Sequence, residues 1–394
     1  MMRMGRGLCW LLILILCAAG SLASRAALGQ SQDQISLQSV QRLDVTLHYV
    51  SVGRGEPVVM VHGGLEDYRA WTAQLAPLAA DHYRAIAYSR RYNFPNQNAP
   101  QCTMSYSAEV DARDLAMLIE KLHLGPVHLV GHSYGGLGAL FFATEHPELV
   151  RTVILSEPPL PAWVQQQPGG APVARDFWRR FWIPLRHAFA REDSSQALAI
   201  AARYFTGDPS LPPAARAALE PNLLEWEVLT RSRKPFPVPS SAALRRINFA
   251  VLLLSGDRSL PLLRRSVDQL AVLLPGSRRV TLRNATHDMW SETPDACGAA
   301  LRKFLHENGR RIKAGRKSSL LNSGHPSPQK SDNRLDAPRK CPRQDQSLGN
   351  PSAILSTGLV RVELPGNRLR EDLHARPITS IGPGGMYYSI GSGH

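Results

Sequence analysis

With 394 residues, 43% of them apolar and only 20% charged, the chain can fill a sizeable buried core, which excludes a wholly disordered protein. A formal charge of +14 points toward nucleic acid until it is located: from Arg310 onward fourteen Lys and Arg stand against six Asp and Glu, so the tail supplies more than half of the excess. No nucleic-acid partner is therefore expected of the body of the chain.

Residues 1–23 read as a secretory signal peptide, with basic MMRMGRG, an apolar run from Leu8 to Ala19 and the small-residue stretch AAGSLAS, cleaved after about Ala23. The run is too short for a stable membrane span, which needs about 20 apolar residues. Cys17 follows Leu16, where a lipoprotein signal calls for a small residue. Export to the periplasm or the medium is the expectation. Cys9 and Cys17 would leave with the signal, and Cys102, Cys297 and Cys341 form an odd set without metal-ligand spacing, so ordinary thiols are expected ahead of a Cys102–Cys297 bridge.

The body of the chain starts near residue 40. DVTLHYVSVG alternates as an outer antiparallel strand does, and PVVMVHGG is a continuous apolar run, as in a buried parallel strand. YRAIAYS, PVHLVGHS and RTVILSEP follow as further strands. The helix SAEVDARDLAMLIEKLHL places Val110, Leu115, Leu118, Ile119 and Leu122 on one face. This alternation implies an α/β protein, a mostly parallel sheet with helices on both faces. Residues 40–157 make its first part.

From 158 to 245 the alternation stops, and only helical stretches appear: ARDFWRRFWIPLRHAFARE, SSQALAIAARYF and ARAALEPNLLEWEVLTRS. They read as an inserted lid over the carboxyl edge of the sheet, bringing Phe177, Trp178, Phe181, Trp182 and Trp226 toward the place where such sheets bind ligands. For most of these aromatics, packing the lid's own helices is the expected task. AVLLLSGD, RRVTLRNATH and the helix TPDACGAALRKFLHE complete the core over 246–308. Residues 310–394, rich in Ser, Pro, Gly, Asn and Gln, read as a basic, mostly disordered tail, with at most one short strand at VRVELPG.

Gly131, Ser133 and Gly135 form Gly-x-Ser-x-Gly directly after a predicted strand and before a predicted helix. A nucleophile on so tight a turn leaves no room for side chains two positions away, and the helix N-terminus beyond it favours negative charge. A serine hydroxyl needs a base, and His287, on the loop after the last predicted strand, lies at the same sheet edge. His82, His123, His128, His146, His187 and His306 are expected to be structural or simply solvated. A developing oxyanion needs two backbone donors, for which the amides of Tyr134 and Gly64 are the expected pair.

The motifs HGG at 62–64, GHSYGG and NATHDMW, in this order, resemble the α/β-hydrolase superfamily in its lidded, single-domain branch of small serine esterases and related enzymes. The resemblance covers about residues 40–308. It implies an eight-stranded, mostly parallel sheet, a helical lid after the sixth strand and no cofactor or metal. The usual acid of the catalytic triad is an aspartate in Gly-x-x-Asp after the penultimate strand, but here that position holds Ser259, and Asp257 comes two residues early. A minority branch takes the acid from the end of the sixth strand, where Glu157 stands 24 residues beyond Ser133. Glu157 is preferred, with Asp257 as the alternative. Relatives that open epoxides or remove halides use aspartate as nucleophile, so Ser133 favours acyl transfer to water. Arg90, Arg91 and Tyr92 in YSRRYNFPN are placed near the site entrance, where Arg91 would meet an anionic group of a substrate or brace the loop.

The expected activity is thus that of an exported carboxylic-ester hydrolase acting on a small to medium, mainly apolar molecule, with Trp178 and Trp182 at the substrate. A lactonase, a carbon–carbon bond hydrolase and a perhydrolase would use the same constellation. Two readings of another class stand beside it: a ligand-binding protein that has kept the triad, and a tail that tethers the protein to an anionic polymer. The oligomeric state is not encoded in any of these motifs.

Overall fold

The computed structural model describes residues 36–101 and 105–319, the last ten as backbone only. The expected signal at 1–23, Cys9, Cys17, Cys102, Cys341 and the tail beyond 319, VRVELPG included, lie outside the described residues.

Eight strands form one sheet in the order β1-β2-β4-β3-β5-β6-β7-β8. They are β1 Gln38–Arg42, β2 Val45–Val52, β3 Glu56–Val61, β4 Tyr83–Tyr88, β5 Val127–His132, β6 Val150–Ser156, β7 Ala250–Gly256 and β8 Arg278–Leu282. β1 and β2 run antiparallel to their neighbours, and from β4 to β8 all pairs are parallel. The sheet expected from the sequence is therefore present. β1 is an addition to the seven strands legible in sequence. It is an edge strand with mostly exposed residues, so it carries no apolar pattern by which to find it. β5 shows the opposite extreme, with every residue buried, because both faces of the sheet are covered.

One face is covered by α2 Ala108–Lys121 and α3 Ser133–Glu145, the other by α1 Thr72–Ala80 and the last helix. Val110, Leu115, Leu118 and Ile119 of α2 are all buried, as their spacing predicts. On the opposite face Trp71, Leu75, Leu78, Leu301, Phe304 and Leu305 close the second core. Burying each such side chain contributes about 1.5 to 3 kcal/mol.

Between β6 and β7 the chain is helical: α4 Pro161–Gln166, α5 Gly170–Phe177, α6 Ile183–Ala190, α7 Ser194–Thr206, α8 Pro213–Leu219, α9 Leu223–Thr230 and α10 Ser241–Arg245. α5 and α6 read as one helix in sequence, but a π-helical turn at Trp178–Trp182 joins them. Pro184 has no N–H to give to such a helix, and a widened turn just before it absorbs the missing bond. After β7 come α11 Pro261–Leu273, α12 Met289–Glu292 and α13 Pro294–Ser319. α13 continues past the boundary expected at residue 308. Arg, Ile, Lys and Ala are adequate helix formers, and extending an existing helix adds one hydrogen bond per residue fixed. Among the described residues, no helix is long and apolar enough to cross a membrane.

Sheet register brings the site together. Chain direction across the sheet reverses at β3, whose neighbours are β4 and β5, and Val61 lies opposite Gly131. The residues after β3 thus meet those after β5 at a switch point, where α/β sheets bind ligands. On the other side His132 pairs with Ser156, and Ser156 with Leu254.

Candidate active site

Ser133 opens α3 with a left-handed φ of 49°, a conformation that costs a non-glycine residue energy and lifts its side chain off the sheet. The flanking glycines are required by contact. A Cβ on Gly135 would stand 2.1 Å from the His62 carbonyl oxygen, and one on Gly131 would stand 2.6 Å from the Gly136 Cα.

His287, on the loop between β8 and α12, lies with Nε2 2.8 Å from Ser133 Oγ and Nδ1 2.8 Å from Glu157 Oε2. Glu157 follows β6 directly, also at a positive φ of 51°, and is fully buried. Its Oε1 accepts from Ser255 Oγ and the Gly256 N–H, both at 2.9 Å, and its Oε2 also accepts from Ser259 Oγ at 2.5 Å. Burial works against the charge. The hydrogen bond and charge of His287 and the bonds from Ser259 and Gly256 outweigh it and hold the carboxyl below its ordinary range.

Ser259, at the position where Gly-x-x-Asp would place its carboxylate, is thus a donor to Glu157. Asp257, the alternative acid, does not join the site. It is exposed beside Arg264 and Arg265 at the surface, because β7 ends by turning its carboxylate outward.

Above Ser133 lies a cavity of about 170 Å³, walled by Phe177, Phe181, Trp182, Tyr204, Phe205 and Trp226. The Phe205 ring stacks on His287 at 5.5 Å between centroids. More of the lid aromatics face the cavity than expected from sequence. Trp178 does not. It packs edge-on against Phe177 and Phe236 within the lid, which corrects its assignment as a substrate contact.

Arg91 is corrected as well. Rather than facing an entrance, it is buried and binds both oxygens of Asp114, at 2.8 and 2.5 Å. Arg90 is fully buried, paired with Asp111 and with Glu225 of the lid, and donates to the carbonyls of His62 and Gly63. Tyr92 is buried against Tyr106. Among the described residues no Lys or Arg lines the cavity, and most of its wall is apolar.

Gly64 and Tyr134 both line the cavity. The amides on either side of Gly64 are committed: Gly63 N–H donates to Glu66 Oε2 at 2.7 Å and Leu65 N–H to Glu225 Oε2 at 3.0 Å.

Sequence reasoning missed a second polar pair beside the first. His132 lies with Nε2 3.0 Å from the His287 carbonyl oxygen, and its Nδ1 is 3.3 Å from Glu66 Oε2. Burial opposes charge on both groups, yet each holds the other ionised. Glu66 is pulled down to about 2 by His132 and the Gly63 amide, and His132 is raised by Glu66. The clue in sequence was an acid three residues past Gly63, with a histidine beside the nucleophile.

A depressed carboxyl contributes stability above its unfolded pKa, near 4.5, and loses it as pH falls toward the folded value. The raised histidine contributes below its ordinary 6.5 and loses its share as pH rises through its folded value. Glu66→Gln is therefore expected to lower Tm by roughly 3 to 6 °C near pH 5.5. That gap should shrink as the buffer is taken from pH 4.5 to 2.5. A gap independent of pH would remove the ion pair from this account.

The geometry now bears comparison with known proteins. Residues 56–203 match the model of the α/β-hydrolase fold family. The fold is that of the α/β hydrolases. Among curated relatives of this chain, epoxide hydrolase 2 of Siraitia grosvenorii is 32% identical over 122 residues, 31% of this chain and 38% of that protein. The 2-hydroxy-6-oxo-6-phenylhexa-2,4-dienoate hydrolase of Burkholderia cepacia is 34% identical over 117 residues, 28% of this chain and 40% of that protein. The chain thus spans about two-fifths of the length of these relatives. Of solved structures, an esterase from Exiguobacterium antarcticum superposes with a TM-score of 0.57 at 20% identity, over 68% of this chain and 99% of that one. The three proteins are named for different activities.

Proposed function

We propose that this α/β-hydrolase is an exported serine hydrolase that cleaves a small, apolar carboxylic ester through an acyl-serine intermediate. The observation that carries the reading is the unbroken line of hydrogen bonds from Ser133 through His287 to Glu157, set under an aromatic cavity.

In this reading Ser133 Oγ attacks the ester carbonyl as His287 Nε2 takes its proton, and Glu157 stabilises the imidazolium at Nδ1. The carbonyl oxygen, now an anion, is held by the amides of Gly64 and Tyr134, each worth about 3 to 4 kcal/mol in comparable sites. His287 then returns the proton to the departing alcohol. Water, activated by the same histidine, releases the acid and frees Ser133. No step requires a cofactor. A serine in place of an aspartate nucleophile separates this chain from epoxide opening, despite the name of its relative. Export rests on the residue order of the first 23 positions.

The cavity, at about 170 Å³, is close to the ~150 Å³ that accommodates a benzene ring in an engineered protein core. One ring or an acyl chain of about four to six carbons fits. A carboxylate does not, since Glu66 and Asp288 line the wall, no Lys or Arg among the described residues does, and His132 is already paired with Glu66. A dienoate, such as the relative's name contains, is disfavoured on that ground.

A fluorophosphonate probe is expected to label the wild type at Ser133 and to leave Ser133→Ala unlabelled. Among p-nitrophenyl esters, turnover should peak at short acyl chains or benzoate. Adding a carboxylate to the acyl group should lower kcat/KM by at least about tenfold, the cost of an unpaired charge in an apolar site. No labelling and no turnover would leave a ligand-binding protein as the better account.

A further inference from the structure

Glu225 is a fully buried carboxylate on α9, a lid helix, yet all its bonds are made to the core. Arg90 reaches its Oε1. Its Oε2 accepts from Leu65 N–H and from Asn93 Nδ2, each at 3.0 Å. Leu65 follows Gly64 and holds a left-handed φ of 58°, which costs a leucine roughly 1 to 2 kcal/mol and persists only where something holds it. The next lid residue, Trp226, presses on the same turn, since a Cβ on Gly64 would stand 2.5 Å from its indole Nε1.

We propose that Glu225 is a positioning residue, reaching from the lid to fix the Leu65 peptide and thereby aim the Gly64 amide at the substrate oxyanion. The inference rests on the reading of Gly64 as an oxyanion donor. Its physical basis is preorganisation: a donor held before the charge develops costs nothing to reorient at the moment of reaction. It follows that α9 is part of the working site and stays seated during turnover, so substrate enters past other lid helices.

Two variants separate aiming from mere support. Glu225 accepts every hydrogen bond it makes, so even if the Asn93 amide turns over to offer its unpaired oxygen, the NH₂ of Glu225→Gln must displace either Arg90 or the Leu65 amide. Glu225→Asp keeps the charge for Arg90 but is one methylene short of Leu65. Active sites are counted by fluorophosphonate titration, and phenylboronic acid, which forms a tetrahedral adduct with the serine, reports oxyanion binding.

For both variants kcat per titrated site is expected to fall about 10- to 30-fold, with phenylboronate Kd rising by a similar factor and KM changing less than about threefold. A lower Tm with kcat and phenylboronate Kd within twofold of wild type would overturn the proposal. If neither variant folds, amide hydrogen exchange in the wild type decides. A Leu65 amide as slow as those of β5 supports the latch, and one as fast as an exposed loop overturns it. A wild type that takes neither the fluorophosphonate nor phenylboronate would refute the ester reading. The Leu65 exchange rate would still test the latch.

Discussion

Ser133→Ala and His287→Ala are each expected to lower kcat by about 10⁵- to 10⁶-fold, with the double variant falling no further, because in the proposed mechanism the two side chains act in one step. His287 Nε2 lies 2.8 Å from Ser133 Oγ, and in the proposed mechanism the hydroxyl is reactive only while the imidazole can take its proton. Removing either member leaves water as the nucleophile. On the proposed mechanism, what should survive is the contribution of the Gly64 and Tyr134 amides and of the cavity, about 10³-fold over the uncatalysed reaction. Ester hydrolysis by both single variants and the double, each corrected for background, is the measurement. A double variant that multiplies the two losses, or a His287→Ala variant within tenfold of wild type, would show that the histidine is not the base.

Glu157→Gln is expected to lower kcat by about 10⁴-fold, while Asp257→Asn stays within about twofold. Besides His287, the Glu157 oxygens face the hydroxyls of Ser255 and Ser259 and the amide of Gly256, all donors. A glutamine there must turn its NH₂ either into that cluster or toward His287 Nδ1. In the second case Nδ1 accepts, Nε2 carries the proton, and the imidazole faces Ser133 in the wrong tautomer. Asp257 touches neither ring nitrogen, so its neutralisation leaves the reaction alone. Ester assays of both variants under one protocol decide the matter, and the reverse order of effects would transfer the acid's role to Asp257.

Glu157 also affects acid stability. Its folded pKa lies below the ordinary carboxyl value, so its contribution is complete above about pH 4.5 and is lost as pH falls from there.

The residues that recognise a fold by local necessity were readable without coordinates. Gly131 and Gly135 are glycines because backbone lies where their side chains would be, and that need shows as a pattern five residues long. The alternation of buried strands and one-faced helices is equally local. So was the absence of an aspartate at Ser259, which directed attention to Glu157. β1 escaped notice because an exposed edge strand has no apolar face. Arg91 and Trp178 were misplaced for a different reason: sequence shows that a side chain is near a loop or on a lid helix, but not which way the helix is rotated or which carboxylate it meets. Asp114 claimed the first and Phe236 the second.

Ser133 and His287 were therefore legible in sequence as candidates, since each lies in a motif whose neighbours reveal its turn. The partner of Ser259, the link from His132 to Glu66, and the reach of Glu225 from the lid to Leu65 required the tertiary structure. Those contacts join residues 66 to 160 positions apart, and their geometry depends on sheet register and on how the lid is seated. A hydrogen bond is made or lost within a few tenths of an ångström, which no spacing along the chain can specify.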